Sequence, residues 1–315
     1  MLTWAGESHR TSAGLGFRRS SDRTAADNGG RFKLDPAARR DDLYSVFMQD
    51  EWTLRPGWTL TAGSKLEHND YTGNETSPSL RLMMAPHEHR ALWVAATRTS
   101  RTPSRGDHDA YLDFNDVPGC PPPFTHVPGL GCIQDTSSGS IDSYAVRAVE
   151  AGWREQWGGS LLTELSLYRD DEKDRVDYSS GQKASPSYSG IEVELQWQAA
   201  PPWRLTLAAG YHDAEGGGFF PSEELIGNRW FKARSLYQLS DSLSWNVFVY
   251  HDQEELLRDP FTRLDMTWIW HAHRALECQF ILNNLLEGAH GEASESTRVD
   301  SGVRRGGELL LRYRF

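Results

Sequence analysis

The sequence predicts an all-β fold, an antiparallel transmembrane β-barrel. Three observations predict it. Apolar and polar side chains alternate with a period of two, the joins between alternating segments are short and long by turns, and the last segment alternates up to an aromatic end at Phe315.

The alternation is explicit. Trp58, Leu60, Ala62 and Leu66 are interleaved with Thr59, Thr61, Gly63, Lys65 and Glu67. Ile191, Val193, Leu195 and Trp197 alternate with Glu192, Glu194, Gln196 and Gln198. Trp203, Leu205, Leu207, Ala209 and Tyr211 follow the same rule, as do Leu264, Met266, Trp268 and Trp270, and Leu276, Cys278, Phe280 and Leu282. Successive strand residues point to opposite faces, so each segment has one apolar and one polar face. A register slip of one residue would put Glu192 and Glu194 on the apolar face. Three places depart from the rule. Leu92-Trp93-Val94 is apolar on both faces, Asp50 breaks the pattern in SVFMQDEW, and Leu161-Leu162 leave their phase open.

About fourteen strands are predicted. Short joins fall at Arg55-Pro56-Gly57, Pro86 to His89, Gln156 to Gly159, Ala200-Pro201-Pro202, Ser240-Asp241 and His271-Ala272-His273. Long ones run from Ser21 to Asp41, Tyr71 to Glu75, Ser100 to Gly139, Arg175 to Pro186, Ala214 to Gly227, Gln253 to Pro260 and Leu285 to Val303. Short turns at one end and long loops at the other suit an outer-membrane barrel, and a soluble sandwich or propeller has no reason for that regularity.

Composition agrees. No run approaches the roughly 18 apolar residues of a membrane helix, which excludes a helical membrane protein. A barrel shows lipid only every second residue, so a mean hydropathy of -0.60 is compatible with one. Twelve Trp, eleven Tyr and twelve Phe would furnish interfacial girdles, or equally a large sheet core. The net charge of -11 and the lack of a basic run speak against a nucleic-acid partner. The opening MLTWAGESHRTSAG has no basic n-region and no apolar h-region, so the chain is expected to be a fragment of an exported protein.

In the last strand Leu309, Leu311, Tyr313 and Phe315 share one face, and Glu308, Arg312 and Arg314 the other. This resembles the C-terminal signal of outer-membrane barrels that the barrel-assembly machinery reads. Further stretches resemble TonB-dependent receptors, in matching order. LYSVFMQDEWTL with WTLTAGSKLEHNDYTG resembles that family's Phe-x-Gln-Asp-Glu-Trp hairpin. SPSLRLMMAP with ALWVAATRTSRTPSR resembles the next hairpin, with Arg101, Thr102 and Pro103 at the loop entrance. SYSGIEVELQW with PPWRLTLAAGY is similar to its Gly-x-Glu-x-Glu hairpin, and ILNNLLEG to its late Asn-Leu-Phe segment, with Leu286 where Phe is usual.

The resemblance implies a barrel of roughly 22 strands filled by an N-terminal plug. Residues 1–315 are then the C-terminal part of the barrel domain, with the plug absent and 100–139 a long extracellular loop. It implies active uptake of a scarce nutrient, such as an iron-siderophore complex or cobalamin, across the outer membrane of a Gram-negative bacterium. The implied partners are membrane lipid, the assembly machinery, a small-molecule ligand such as a metal chelate, and TonB only through the plug. No cofactor is implied.

At the entrance of the longest loop stand Arg98, Arg101, Arg105, Asp107, His108 and Tyr111. Arg and Tyr can hold an anionic chelate by charge-assisted hydrogen bonds and stacking, or stand as solvated loop charges. Cys120 and Cys132 flank PPPFTHVPGLG. In an oxidising setting they read as a disulfide that removes roughly 3 kcal/mol of unfolded-state freedom. Metal ligation by Cys120, His126 and Cys132 is the rival, without a standard zinc spacing. Cys278 reads as a small hydrophobe, and the pairs His87/His89 and His271/His273 as a wet rim. No HExxH, CxxC, phosphate-cradling Gly loop or GxSxG is present, so neither a metal site nor catalysis is expected. A passive porin and an outer-membrane barrel enzyme are the alternative readings. Thiol titration without reductant should find two of the three cysteines protected; three reactive thiols would exclude the bridge.

Overall fold

The computed structural model describes residues 1–24, 32–112, 124–127, 131–134, 142–176, 183–216, 229–253, 260–291 and 302–314. Fifteen antiparallel strands form one sheet in strict chain order. They are β1 (Leu2–Ala5), β2 (His9–Arg23), β3 (Ala38–Arg55), β4 (Trp58–Asn69), β5 (Gly73–His87), β6 (Arg90–Arg101), β7 (Tyr144–Trp157), β8 (Leu161–Lys173), β9 (Ser187–Ala200), β10 (Trp203–Glu215), β11 (Arg229–Ser240), β12 (Leu243–Gln253), β13 (Phe261–His273), β14 (Leu276–Asn283) and β15 (Gly306–Tyr313). Each hairpin predicted by an alternating pair is present, and the short Leu2–Ala5 strand adds one to the expected number. Short joins and long ones lie at opposite ends of the sheet with one exception: the join predicted as long at Tyr71 to Glu75 is only the three-residue turn 70–72, because Gly73 already pairs with Asn69, and it sits at the long-join end. The turn between β3 and β4 uses Gly57 at φ 75°, where a Cβ would fall 2.3 Å from the Ala85 carbonyl oxygen. Only glycine fits such a turn without strain.

Register places the alternating residues on one continuous surface. Val94 lies opposite Ala151, Leu165 opposite Val193, Leu195 opposite Leu207, Trp268 opposite Phe280, and Phe280 opposite Leu309. This surface stays uncovered: Val149 is 53% exposed, Ile191 42%, Phe280 47% and Leu309 67%. Among the described residues Phe261 is the one hydrophobic side chain that is buried. A soluble sandwich must seal such residues between two sheets. Here no second layer covers them, and the wall is that of a transmembrane barrel with acyl chains as the apolar phase. Toward the short-turn end the surface carries Trp153 edge-on to Trp157, Trp203 edge-on to Tyr237 and Trp245 stacked on Trp268. Amphipathic rings sit there at headgroup level.

The opposite, inward face is polar. Glu150, Glu164, Glu192 and Glu194 lie on β7 to β9, with Glu164 directly across from Glu194. The irregular places in the pattern resolve here. Trp93 points inward, lies over Gly152 and donates its indole N–H to Glu150, while Leu92 and Val94 face out. Leu161 faces out opposite Trp197. Asp50 is on the outward face, where it accepts from Thr11 at 2.7 Å and pairs with His9 at 2.7 Å, beside the stack of His9 on Trp52. A carboxylate is tolerated there because two hydrogen bonds replace its water and the headgroup girdle is adjacent.

β1 and β15 end the sheet, and β2 beyond Ala13 is paired only with β3 among the described residues. The exposed faces fix the expected effect of misplaced charge. Val193→Arg, on the lipid side, should cost about 2 kcal/mol or more in denaturant titrations of protein refolded into vesicles. Gln196→Arg, on the wet side, should stay within about 0.5 kcal/mol. Equal costs would mean that lipid does not meet the Val193 face.

Candidate functional site at the mouth of the barrel

The inward face ends, on the long-loop side, in a mouth built from joins far apart in sequence. After β6, Thr102-Pro103-Ser104 leads into a single helical turn, α1 (Arg105–Asp109), in which the His108 amide donates to the Ser104 carbonyl at 3.0 Å. The chain then continues as Ala110–Leu112, which pairs antiparallel with Phe32–Leu34 from the join between β2 and β3. Two long joins are thereby tied across the ends of the intervening strands. The Asp35 amide, donating to the Asp109 carbonyl at 3.0 Å, closes the tie.

Side chains lock it. Asp109, with a side chain only 3% exposed, accepts from Arg39 at 2.7 Å and from Arg105 at 3.2 Å, and meets His108 Nδ1 at 2.8 Å. Arg105 also pairs with Asp22 and donates to the Pro36 carbonyl. Arg39 bonds Asp41 at 2.6 Å and lies 4.2 Å over the Tyr71 ring. The Tyr71 hydroxyl donates to Asp41 at 3.0 Å, and its ring meets His108 edge-on at 5.2 Å. Tyr71 is set by its own turn, in which Asn69 Oδ1 accepts from the backbone amides of Tyr71 and Thr72, both at 2.9 Å. Burial pushes the Tyr71 phenol up to about 12, helped by its hydrogen bond to Asp41. Arg105 is held above the usual guanidinium value chiefly by its hydrogen bond to Asp22. Beside the network lies a cleft of about 370 Å³, lined by Arg18, Asp22, Asp41, Asp70, Tyr71 and Arg105 among others.

The structure distributes the six predicted ligand residues in different directions. Arg105 and His108 enter the network just described. Asp107 belongs to the same turn, and Tyr111 pairs with Lys33 in the tie. Arg101 ends β6 on the inward face, its guanidinium 5.6 Å from the Tyr144 ring centroid. Arg98 is on the outward face and donates to the Thr76 carbonyl at 3.0 Å. Cys132 and His126 are Cα partners in a two-stranded ribbon. The bridge to Cys120 lies outside the described residues, as does Phe315. The histidine pairs sit at the short-turn end, where His87, Glu88 and His89 line an open groove.

Sequence reasoning missed Arg39, Tyr71 and Asp109: Arg39 meets Asp109 across 70 residues, and Tyr71 meets Asp41 across 30. It also missed Asn284. This residue is fully buried at φ 53°; its amide donates to Asp265 at 2.9 Å and its side chain to the Val303 carbonyl at 2.9 Å, which anchors the last long join. The Asn-Asn pair closing β14 was the available signal, because asparagine tolerates the left-handed region.

A lipid-facing antiparallel wall with a tied, charged mouth at one end defines the class as a transmembrane β-barrel. The model of the TonB dependent receptor-like β-barrel family matches residues 2–274, and the chain belongs to that family. It is 28% identical over 167 residues to the ferric enterobactin receptor of Pseudomonas aeruginosa, which is 50% of this chain and 21% of that protein. Its fold is similar to the siderophore receptor PirA of Acinetobacter baumannii, with TM-score 0.73 and 13% identity over 100% of this chain and 53% of the other. It is likewise similar to a ferric enterobactin receptor variant of Pseudomonas aeruginosa solved in complex with enterobactin, with TM-score 0.69 and 17% identity over 93% and 48%. The chain thus spans about half the length of these solved structures.

The Asp109 network makes a further prediction. Asp109→Ala leaves two guanidiniums in a largely buried setting and should loosen the tie by about 3 kcal/mol. Limited proteolysis of folded protein should then cut between β6 and β7 faster; an unchanged cutting rate would show that the tie rests on its backbone pairing alone.

Proposed function

We propose that the protein containing this chain is an outer-membrane receptor of a Gram-negative bacterium that takes up an anionic iron chelate, a ferric siderophore, with energy delivered by TonB. In this reading residues 1–315 are the C-terminal part of the barrel, and 100–139 is an extracellular loop that contributes to ligand capture. TonB acts through a plug in the lumen, and the assembly machinery reads Leu309, Leu311, Tyr313 and Phe315. The observation that carries the reading is the mouth: long joins are tied inward over the lumen at one end of a wall of this family, and relatives matching that wall bear the names of siderophore receptors.

The chemistry suits such a ligand. Arg101 and Tyr144 face inward at the rim, a guanidinium and a ring that take an anionic, aromatic chelate by charge-assisted hydrogen bonds and stacking. Arg105 and His108 act as positioning residues for the loop, since Asp22 and Asp109 already hold their polar groups. The acidic inner wall at Glu150, Glu192 and Glu194 suits a basic surface within the lumen, as a plug would present. The test uses the full-length receptor. Arg101→Ala should weaken binding of the ferric siderophore about ten-fold. Uptake in a strain lacking the native receptor should require TonB. Unchanged affinity, or uptake that persists without TonB and rises linearly with concentration as free diffusion does, would overturn the proposal.

A further inference from the structure

The outward face carries a cluster of cations that the uptake reading does not use. Arg98 continues the lipid-facing series Leu92, Val94, Ala96 on β6, Arg147 continues Trp153, Ala151, Val149 on β7, and Arg169 continues Leu165, Leu167 on β8. Arg98 and Arg147 are direct cross-strand partners, and Arg147 in turn faces Asp171. Like charges directly opposite each other oppose strand pairing, so such a pair is stable only if something neutralises it. The protein does so only in part. Asp171 is held by Arg169 at 3.1 Å. Arg98 donates to a backbone carbonyl, and Arg147 is exposed with no hydrogen-bond or ion-pair partner among the described residues. Arg19, on the same face of β2, is handled differently: it makes two bonds of 2.7 Å to Asp42.

Position adds an independent constraint. From Trp157, in the girdle at the short-turn end, to Arg147 is ten residues. At about 3.3 Å per residue and a strand tilt near 40°, this is about 25 Å, the height of the apolar band of an outer-membrane barrel. Arg98 and Arg147 therefore stand at the outer interface; Arg169, the cross-strand partner of Val149, sits one step lower at its edge, and Val94, Val149 and Leu167 lead down into the acyl region. Lipid headgroups occupy that level beside the wall, and their phosphates can supply the missing counterion.

We propose that Arg98, Arg147 and Arg169 form a binding site for the phosphate groups of an anionic glycolipid in the outer leaflet. Cα atoms of directly paired strand residues are about 5 Å apart, so the guanidiniums of Arg98 and Arg147 reach one phosphate together. The planar fork of arginine suits bidentate bonding to phosphate oxygens. Arg169, tied to Asp171, flanks the site, and acyl chains lie on the valines and leucine below. The site rests on the outer-membrane reading but is separate from the siderophore mouth, which lies on the other face of the sheet.

The experiment uses the full-length receptor in phosphatidylcholine nanodiscs supplied with bis-phosphorylated lipid A, and quantifies bound lipid by native mass spectrometry after detergent release. Wild type should retain this lipid about thirty-fold better than R98Q/R147Q. Lipid A stripped of both phosphates should bind wild type as weakly as it binds the variant, and inorganic phosphate at matching concentration should not displace the intact lipid. R98K/R147K should recover part of the retention. Equal retention by wild type and R98Q/R147Q, or equal retention of the stripped lipid, would overturn the proposal, and displacement by inorganic phosphate would replace it with a site for the free ion. Siderophore binding and heat-modifiable gel migration, measured on the same samples, should be unchanged in both variants. Loss of either in wild type would count against the barrel and uptake readings rather than against this site.

Discussion

Backbone hydrogen bonding in hydrocarbon is the constraint on which this structure depends. No water reaches the acyl layer, so each amide and carbonyl crossing it must find a partner within the protein. The ladder meets that demand between neighbouring strands, leaves it open at the outer edges of β1, β2 and β15 among the described residues, and forces side chains alternately into lipid and toward the lumen. A chain with little mean hydropathy can therefore expose Val149, Ile191 and Leu309 without aggregating, because acyl chains cover them. Phe261 is the single buried hydrophobic among the described residues, which is what a wall with solvent on both sides should look like.

The inward face obeys different electrostatics. Glu164 stands directly opposite Glu194, an arrangement that opposes strand pairing. Arg154 partly offsets it by bonding Glu164 at 2.7 Å. High dielectric in the lumen reduces the rest, so charges of one sign can collect there at a cost that lipid would not permit. Large rings cover gaps left by small residues. Trp93 lies over Gly152 and Trp230 over Gly210, where an added Cβ would fall 2.0 Å and 2.5 Å from ring atoms. Aromatic rings laid over glycines in this way help to pin the strand register.

At the mouth, charge is organised into a tie. Asp109 gathers Arg39, Arg105 and His108 around one carboxylate, while Asp41 gathers Arg39 and Tyr71. Each ionic group there is satisfied by more than one neighbour, which offsets desolvation and restricts the geometry to one arrangement. The residues that hold the loop are thus separate from the inward rim residues Arg101 and Tyr144. Holding the join from β6 to β7 against that from β2 to β3 keeps the rim residues at a defined place over the lumen.

The sequence by itself determined the fold class, the strands and their outward faces. Lipid selects at every second residue and water at the ones between, so Ile191 and Glu192 declare their sides with no knowledge of neighbours. It also marked the two ends of the sheet through join length, and it carried the family resemblance in short ordered motifs. Only the tertiary structure decided which loop residues meet. Arg39 and Asp109 are 70 residues apart, and no local periodicity links them. Arg98 and Arg101 were grouped by proximity in the sequence, although the period of two already sends residues three apart in one strand to opposite faces, here one toward lipid and one toward the mouth. Strand phase is a local property that burial imposes residue by residue. Partnership across loops depends on where distant segments return, which only the folded sheet settles.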